Sequence, residues 1–454
     1  MLGEKVKMPK TPMKEQDSKS RGKNFSEVAL GYTEDEAVKE AARCIECGKC
    51  VAGCPVGINI PAFIHEIKEG NFEKAAEILK KDNVLPAVCG RVCPQESQCE
   101  KLCVLGFRDE PVAIGRLERF AAEYDKYGFE KLNSTGKKVA VVGSGPAGLT
   151  CASQLALKGH EVVIFEALHK PGGVLEYGIP PFRLPRNVLE KEIDYVKKLG
   201  VDIRLNSVVG LAPTCRELLD EYDAVFISTG AGLPYFMDLP GETLNGVYSA
   251  NEFLIRINLM HAHEFPRYDT PVYVGMNVAV IGGGNVAMDC ARCALRAGAK
   301  KVSIVYRRTK NEMPARQEEV HHAEEEGIEF MYLTNPVGYL GDGGRVKGVE
   351  CVRMKLGEPD SSGRRSPAPV EGSNFKMPAD TVVVAIGQGP NPLLLERFEG
   401  LELDSRGRIK VDEHQRTSIS KVFAAGDIAS RAATVISAMA GGKKAANAIN
   451  DFLK

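Results

Sequence analysis

The chemistry-bearing residues of this sequence are concentrated in its cysteines. Eight of its thirteen cysteines fall between residues 44 and 103. The first four read Cys44-x2-Cys47-x2-Cys50-x3-Cys54-Pro55, and the next four read Cys89-x3-Cys93-x5-Cys99-x3-Cys103. Thiolates at the first spacing can wrap a loop around a cuboidal iron–sulfur cluster, with the fourth cysteine of the run serving a different cluster. A zinc site would need only two CxxC pairs and would not call for the trailing proline. Eight cysteines could fill two clusters by number, so spacing alone leaves the ligand sets open. The other five, Cys151, Cys215, Cys290, Cys293 and Cys351, read as small buried apolar residues. Cys290 and Cys293 form a CxxC, but one that falls inside a helical pattern.

Two glycine-rich runs carry a second kind of chemistry. Gly143-Ser144-Gly145-Pro146-Ala147-Gly148 follows an apolar strand pattern, Val139–Val142, and opens a helix. The first glycine permits the tight turn. Gly145 lets backbone approach a pyrophosphate at the positive helix N-terminus, and Gly148 lets helix and strand pack closely. Glu166 ends the next strand, where a carboxylate accepts from ribose hydroxyls and repels a 2′-phosphate. The second run, Gly282-Gly283-Gly284-Asn285-Val286-Ala287, repeats the pattern about 139 residues on. Its following strand ends in Tyr306-Arg307-Arg308 instead of an acid. Guanidinium groups there suit a 2′-phosphate. The acidic site is therefore expected to hold FAD and the basic one NADP(H).

These sites need several elements to position them. A chain of 454 residues suggests about three domains. Residues 33–130 alternate helical patterns with cysteine-rich turns and show no strand pattern. From Lys137 the texture becomes strand, glycine turn, helix, strand. Residues 341–374 read as a surface hairpin, and DTVVVAIGQGPNP, with Gly387 assigned to the NADP(H) side, leads toward a last strand and helix. A net charge of −1 implies no general affinity for nucleic acid or anionic membrane. No apolar run approaches the roughly 20 residues of a membrane span. The polar N-terminus lacks a signal-peptide pattern, so a cytoplasmic location is expected. His321 and His322 read as structural.

The two glycine runs together resemble the glutathione-reductase-like flavoproteins. Gly172-Gly173 matches their doublet near the FAD phosphates. Thr229-Gly230 matches the strand that returns the chain to the edge of the flavin domain. Ala425-Gly426-Asp427 matches their closing FAD motif, and the helix from Thr434 points its N-terminus at the flavin. By this resemblance the fold is a helical iron–sulfur domain with an extended N-terminal arm (1–132), followed by α/β dinucleotide-binding domains. The FAD domain is split (133–268 and 385–454) around an inserted NADP(H) domain (269–384). No redox CxxC follows the first helix, which argues against a disulfide reductase. The segment from Tyr177 to Arg183 is placed against the flavin ring, with Arg183 as the candidate catalytic donor.

The cysteine-rich region resembles the N-terminal module of the glutamate synthase small-subunit family and of dihydropyrimidine dehydrogenase. The resemblance implies two [4Fe–4S] clusters. Cys44, Cys47, Cys50 and Cys103 would hold the first. Cys54, Cys93, Cys99 and the carboxylate of Glu118 would hold the second, leaving Cys89 as a buried neighbour. The runs LPAVCGRVCPQE, PVAIGRLERF, EYGIPPFRLP and GGGNVAMDCARCALR are most similar to large subunits of the electron-bifurcating NADH-dependent ferredoxin:NADP oxidoreductases. That resemblance implies NADPH and ferredoxin as electron partners, and a small flavin and 2Fe–2S subunit that binds NAD(H). The alternative within the family is a glutamate synthase small subunit. A relay module without enzymatic activity is the reading outside it, and the arginine-tipped nucleotide site argues against that.

Overall fold

The computed structural model describes residues 9–126, 128, 132–360, 363–430 and 434–454. Five helices of seven residues or more form the N-terminal domain: Glu34–Ala41, Ile60–Lys68, Phe72–Asp82, Pro86–Val92 and Ile114–Ala121. Their starts are written locally. Thr33 and Glu36 form a capping box, and Asn59 caps the second helix. Ile60, Phe63, Ile64, Ile67, Leu79, Leu85 and Leu117 fill the centre of this domain. Except for Cys89, inside the helix Pro86–Val92, the cysteines lie in the loops and short 3-10 turns between the helices or at their ends, and no strand lies between residues 33 and 126.

Two parallel five-stranded sheets follow. The first has the order Val422–Ala424, Ala224–Ile227, Lys138–Val142, Glu161–Phe165, Asp202–Arg204. Its central strands are buried on both faces, which is why they read as unbroken apolar runs. Helices Pro146–Leu157 and Val435–Phe452 pack against each other. The second sheet has the order Val247–Ser249, Thr381–Val384, Asn277–Ile281, Lys301–Tyr306, Glu329–Tyr332. The expected surface hairpin is a four-stranded antiparallel sheet spanning Thr334–Pro378.

Three expectations change. The strand Val247–Ser249 pairs with Thr381–Val384, and Phe253 and Leu254 join the core around helix Asn285–Arg296. The second nucleotide unit therefore starts near residue 245, not 269. The strand Ala224–Ile227, expected to lead to the edge of the flavin domain, lies inside its sheet beside Lys138–Val142. Finally, the N-terminal arm is a strap. Thr11 N–H donates to Glu40 in the first domain, whereas Val28 sits in the core of the second nucleotide unit.

That unit is joined to the rest by buried charge. Arg292, fully buried, pairs with Glu319 at 2.5 Å and Glu326 at 2.8 Å. Arg296 and, from the strap, Arg21 also reach Glu326. Phe182 lies beneath Arg292 and Arg296, 4.6 and 4.1 Å from its ring centre. Burial raises the Glu326 pKa, but Arg296 and Arg292 outweigh it and hold the carboxyl down to about 2. The stabilisation Glu326 brings is thus complete above the ordinary carboxylate range and is lost as pH falls toward 2. Removing one partner of such a pair leaves a buried, uncompensated charge. Arg292→Ala should lower unfolding stability by about 3–5 kcal/mol at pH 7. Coincident denaturant midpoints for variant and wild type would show that the network is dispensable.

Candidate functional site

The first three cysteines sit on the loop after helix Glu34–Ala41, which turns at Gly48 in the left-handed region (φ 73°). Their thiols and that of Cys103 line one cavity, closed by Ile45, Pro61, Ile64, Leu105, Val112 and Ile114. Backbone N–H groups of Glu46 and Val112 donate to the sulfurs of Cys44 and Cys103 at 3.4 and 3.5 Å. Burial in this apolar cavity, with Cys44 and Cys103 alongside, pushes the Cys50 thiol up to about 11. Thiols so placed ionise when a cationic centre compensates them.

Cys54, Cys93, Cys99 and Glu118 form a second group. Burial pushes the Cys99 thiol well up, with Glu100, Glu118, Cys93 and Cys54 adding to it, and burial, with Glu118 adding to it, likewise raises the Cys54 thiol. Gly53 makes this possible: a Cβ there would lie 2.6 Å from the carbonyl oxygen of Gln98. Glu118 is buried, and burial pushes its carboxyl up to about 8 although Asn83 Nδ2 donates to it at 2.7 Å. No cation pairs with it among the described residues. Cys89 is fully buried beside Cys93. Among the described residues, no three cysteine sulfurs lie within 4.8 Å of one another. Four thiols at one cavity, and three thiols with a carboxylate at the other, are donor sets that suit iron–sulfur clusters.

The flavin-type site lies at the C-terminal ends of the first sheet's strands, where such folds bind nucleotides. Gly143 makes the turn (φ 98°), and Gly145 faces open space before the helix at Pro146 and Ala147. A Cβ on Gly148 would stand 2.0 Å from the Gly143 carbonyl, so only glycine fits. Glu166 does not stand free. It accepts from Ser144 N–H and Oγ–H and from Leu168 N–H, while Ser144 Oγ accepts from Gly172 N–H. Ser144 thus ties the glycine turn, the acid and the Gly172–Gly173 doublet together, a role that a variable position of the motif gave no hint of. Thr229 and Gly230 (φ 68°) follow the strand Ala224–Ile227. Gly426 packs on Ala147, and Thr434 caps the last helix by accepting from Ser437 N–H. Asp427 Oδ1 is buried without a hydrogen-bond partner, and burial pushes this carboxyl up to about 6. An orphaned acceptor beside a glycine turn and a helix N-terminus is the fit expected for a bound ribityl hydroxyl. Tyr177 is half-buried, and its phenol is held up by burial and by the nearby Glu166 and Asp427 carboxylates.

Arg183 is elsewhere. Its guanidinium is buried against Asp289 at 2.7 Å and Glu319 at 3.0 Å, on helices of the second unit. Two carboxylates compensate its buried charge, so it joins the units instead of serving as the expected flavin-facing donor.

In the nucleotide site of the second unit, Gly282 (φ 140°) turns beside the carbonyl of Ala385, and Gly284 precedes the helix Asn285–Arg296. Val286 is exposed, Ala287 is buried, and Asn285 Oδ1 accepts from Arg316 N–H. Gly387 turns (φ 121°) beside Tyr235. The two arginines differ. Arg308 is buried and committed to the Arg365 carbonyl and to Asp360, which removes it from the expected phosphate pair. Arg307 is exposed and has no ion-pair partner among the described residues. Cys290 and Cys293 are fully buried in their helix. His322 is held by Glu15 at 3.0 Å.

Residues 137–442 match the family model described as pyridine nucleotide-disulphide oxidoreductase. The chain belongs to this family. Residues 21–128 of this oxidoreductase match a second model, dihydropyrimidine dehydrogenase domain II, 4Fe-4S cluster. The glutamate synthase [NADPH] small chain of Escherichia coli is 38% identical over 99% of this chain and 98% of that protein. The beta subunit of the NADP(+)-dependent formate dehydrogenase of Moorella thermoacetica is 44% identical over 89% of this chain, which spans 60% of that protein. Among solved structures, FprA of Mycobacterium tuberculosis in complex with NADPH shares the fold, with a TM-score of 0.60 and 21% identity over 70% of this chain and 84% of that one. The oxidoreductase is thus an FAD- and NADP-dependent flavoenzyme with a 4Fe–4S domain, of the glutamate synthase small-chain-like group. No helix among the described residues is long and apolar enough to cross a membrane.

Asp427 gives a test with opposite signs. Its raised pKa means that the charged form destabilises the flavin-free fold fully above about pH 6 and that this cost fades as pH falls from there to the ordinary carboxylate range. Asp427→Asn should therefore raise the melting temperature of flavin-free protein at pH 7.5 yet speed flavin loss on dilution. Equal flavin retention in the two proteins would take Asp427 out of the site.

Proposed function

We propose that this chain is the NADP(H)-oxidising subunit of an electron-bifurcating transhydrogenase, reversibly linking NADPH to ferredoxin and to a partner subunit that reduces NAD. The observation that carries the reading is the contiguous placement of the two cysteine groups and the flavin-type cleft. Helix Pro86–Val92, which leads to Cys93, touches helix Val435–Phe452, which starts at the flavin-type site. Bound FAD supplies the exchange between the two-electron chemistry of NADPH and one-electron transfer to the clusters. The chain's own residues bind, orient and insulate. The turn at Gly143–Gly148, Glu166, the doublet Gly172–Gly173, Thr229, Gly230 and Gly426 cradle the dinucleotide, and Asp427 with the helix capped by Thr434 orients its flavin end. Gly282, Gly284, Asn285, Val286, Ala287 and Gly387 form the NADP(H) cradle, with Arg307 on the 2′-phosphate. Cys44, Cys47, Cys50 and Cys103 hold one cluster. Cys54, Cys93, Cys99 and Glu118 hold the other. Ile45, Pro61, Ile64, Leu105, Val112 and Ile114 give the first of these sites an apolar lining.

Service as a glutamate synthase small subunit is the second reading. It is favoured by near-complete coverage of the Escherichia coli small chain. The chain that co-purifies under anaerobic conditions decides between them. A small subunit with flavin and a 2Fe–2S cluster, together with NADPH-driven ferredoxin reduction coupled to NAD, is the expected result. A large glutamine-hydrolysing subunit would replace bifurcation with glutamate synthesis.

Arg307 carries its own prediction. NADPH should bleach the bound flavin anaerobically at concentrations where NADH does not. Arg307→Ser should raise the KM for NADPH about 10–100-fold by removing a charge-assisted contact while leaving the NADH rate alone. An unchanged KM would assign 2′-phosphate recognition to another side chain.

A further inference from the structure

Asn83 ends the helix Phe72–Asp82 and is fully buried. Its Oδ1 accepts from the backbone N–H of Leu85 at 2.9 Å. A backbone N–H can only donate, so this bond fixes which end of the amide is oxygen. The nitrogen end must then face Glu118, and Nδ2 donates to Glu118 Oε1 at 2.7 Å. The oxygen end also meets the thiol of Cys89, whose Sγ lies 3.8 Å from Oδ1. Cys89 Sγ contacts Met439 Sδ at 3.5 Å on the other side. One amide thus touches both groups in this pocket that could complete the Cys54, Cys93, Cys99 set: a carboxylate, which it serves as donor, and a thiol, which it serves as acceptor.

We propose that Asn83 makes Glu118, and not Cys89, the fourth ligand of the second cluster. The inference rests on the cluster assignment proposed above and extends it to a positioning residue. Carboxylates that bind metal are themselves held by hydrogen bonds, and losing such a partner typically costs 10–100-fold in metal affinity. Asn83 is the only side chain that hydrogen-bonds Glu118 among the described residues. With its nitrogen it aims the carboxylate. With its oxygen it offers the Cys89 thiol, which also lies beside Cys93 and Met439, an acceptor that favours the protonated, unligated form. Without the amide, the thiol is the better ligand for iron. A Cys89 sulfur–iron bond would form, the Glu118 oxygen–iron bond would break, and the thiol proton would pass to the released carboxylate.

The test compares anaerobically purified wild type with Asn83→Leu, Asn83→Asp, Cys89→Ala, Glu118→Ala and the Asn83→Leu/Cys89→Ala double variant. The readouts are the EPR spectrum and midpoint potential of the reduced clusters, and iron release to a chelator. Flavin content and the first cluster's signal report folding. Asn83→Leu should change the second cluster's spectrum and potential, and adding Cys89→Ala should abolish that new signature. Asn83→Asp keeps an acceptor for Leu85 N–H and loses the donor to Glu118, so it should release second-cluster iron about 10–100-fold faster. Cys89→Ala alone should match wild type. A wild-type spectrum and release rate in both folded Asn83 variants would overturn the proposal, as would loss of the second cluster in Cys89→Ala. A wild-type second cluster in Glu118→Ala would overturn the ligand assignment beneath it, whatever Asn83 does.

Discussion

The contact between the short helix Pro86–Val92 and the long helix Val435–Phe452 is the constraint on which the rest of the molecule depends. It sets a cysteine-bearing helix from the first domain against the helix that begins beside Asp427. Both sides are sealed: Cys89 and Met439 are fully buried where they meet. Polar bonds fix the two domains on either side of this contact. Lys443 donates to the Val56 carbonyl and to Asp82. Glu192, on a helix of the first nucleotide unit, accepts from Lys80 and from the backbone N–H of Ala87. Close packing around these bonds leaves little freedom for one domain to shift against the other.

The second nucleotide unit is held by a different kind of force. The strap and the loop that ends in Arg183 reach it through Arg21, Arg183, Arg292 and Arg296 and their carboxylate partners. Buried pairs of this kind bring little net stability, because desolvation offsets most of the attraction. They do demand one geometry, since a shifted carboxylate would leave a guanidinium unpaired. Phe182, between Arg292 and Arg296, adds a ring face to the same contact. A strap that enters both the iron–sulfur domain, through Thr11, and this unit, through Val28 and Arg21, couples their positions.

Much of this organisation was legible from residue types and spacing. The glycine turns could be placed because a left-handed or sterically crowded backbone admits almost nothing but glycine, as at Gly143 and Gly148. The parallel strands could be read from unbroken apolar runs, because both of their faces are covered. The cysteine loop could be read because thiol spacing limits how a short segment can wrap a polynuclear centre. All of these are requirements that neighbouring residues impose on one another, so a single sequence records them.

Partner choice across the chain was decided only by the tertiary structure. Arg183 looked like a flavin donor until Asp289 and Glu319 were found on either side of it, and Arg308 looked like half of a phosphate clamp until Asp360 took it. The strand Val247–Ser249 is too short to announce its sheet. Ser144 and Asn83 gain their roles from groups that no local pattern connects to them. A long charged side chain or a small polar one can satisfy itself in many ways, and the fold selects among them by burial, where only the partner that arrives within hydrogen-bond reach can replace water.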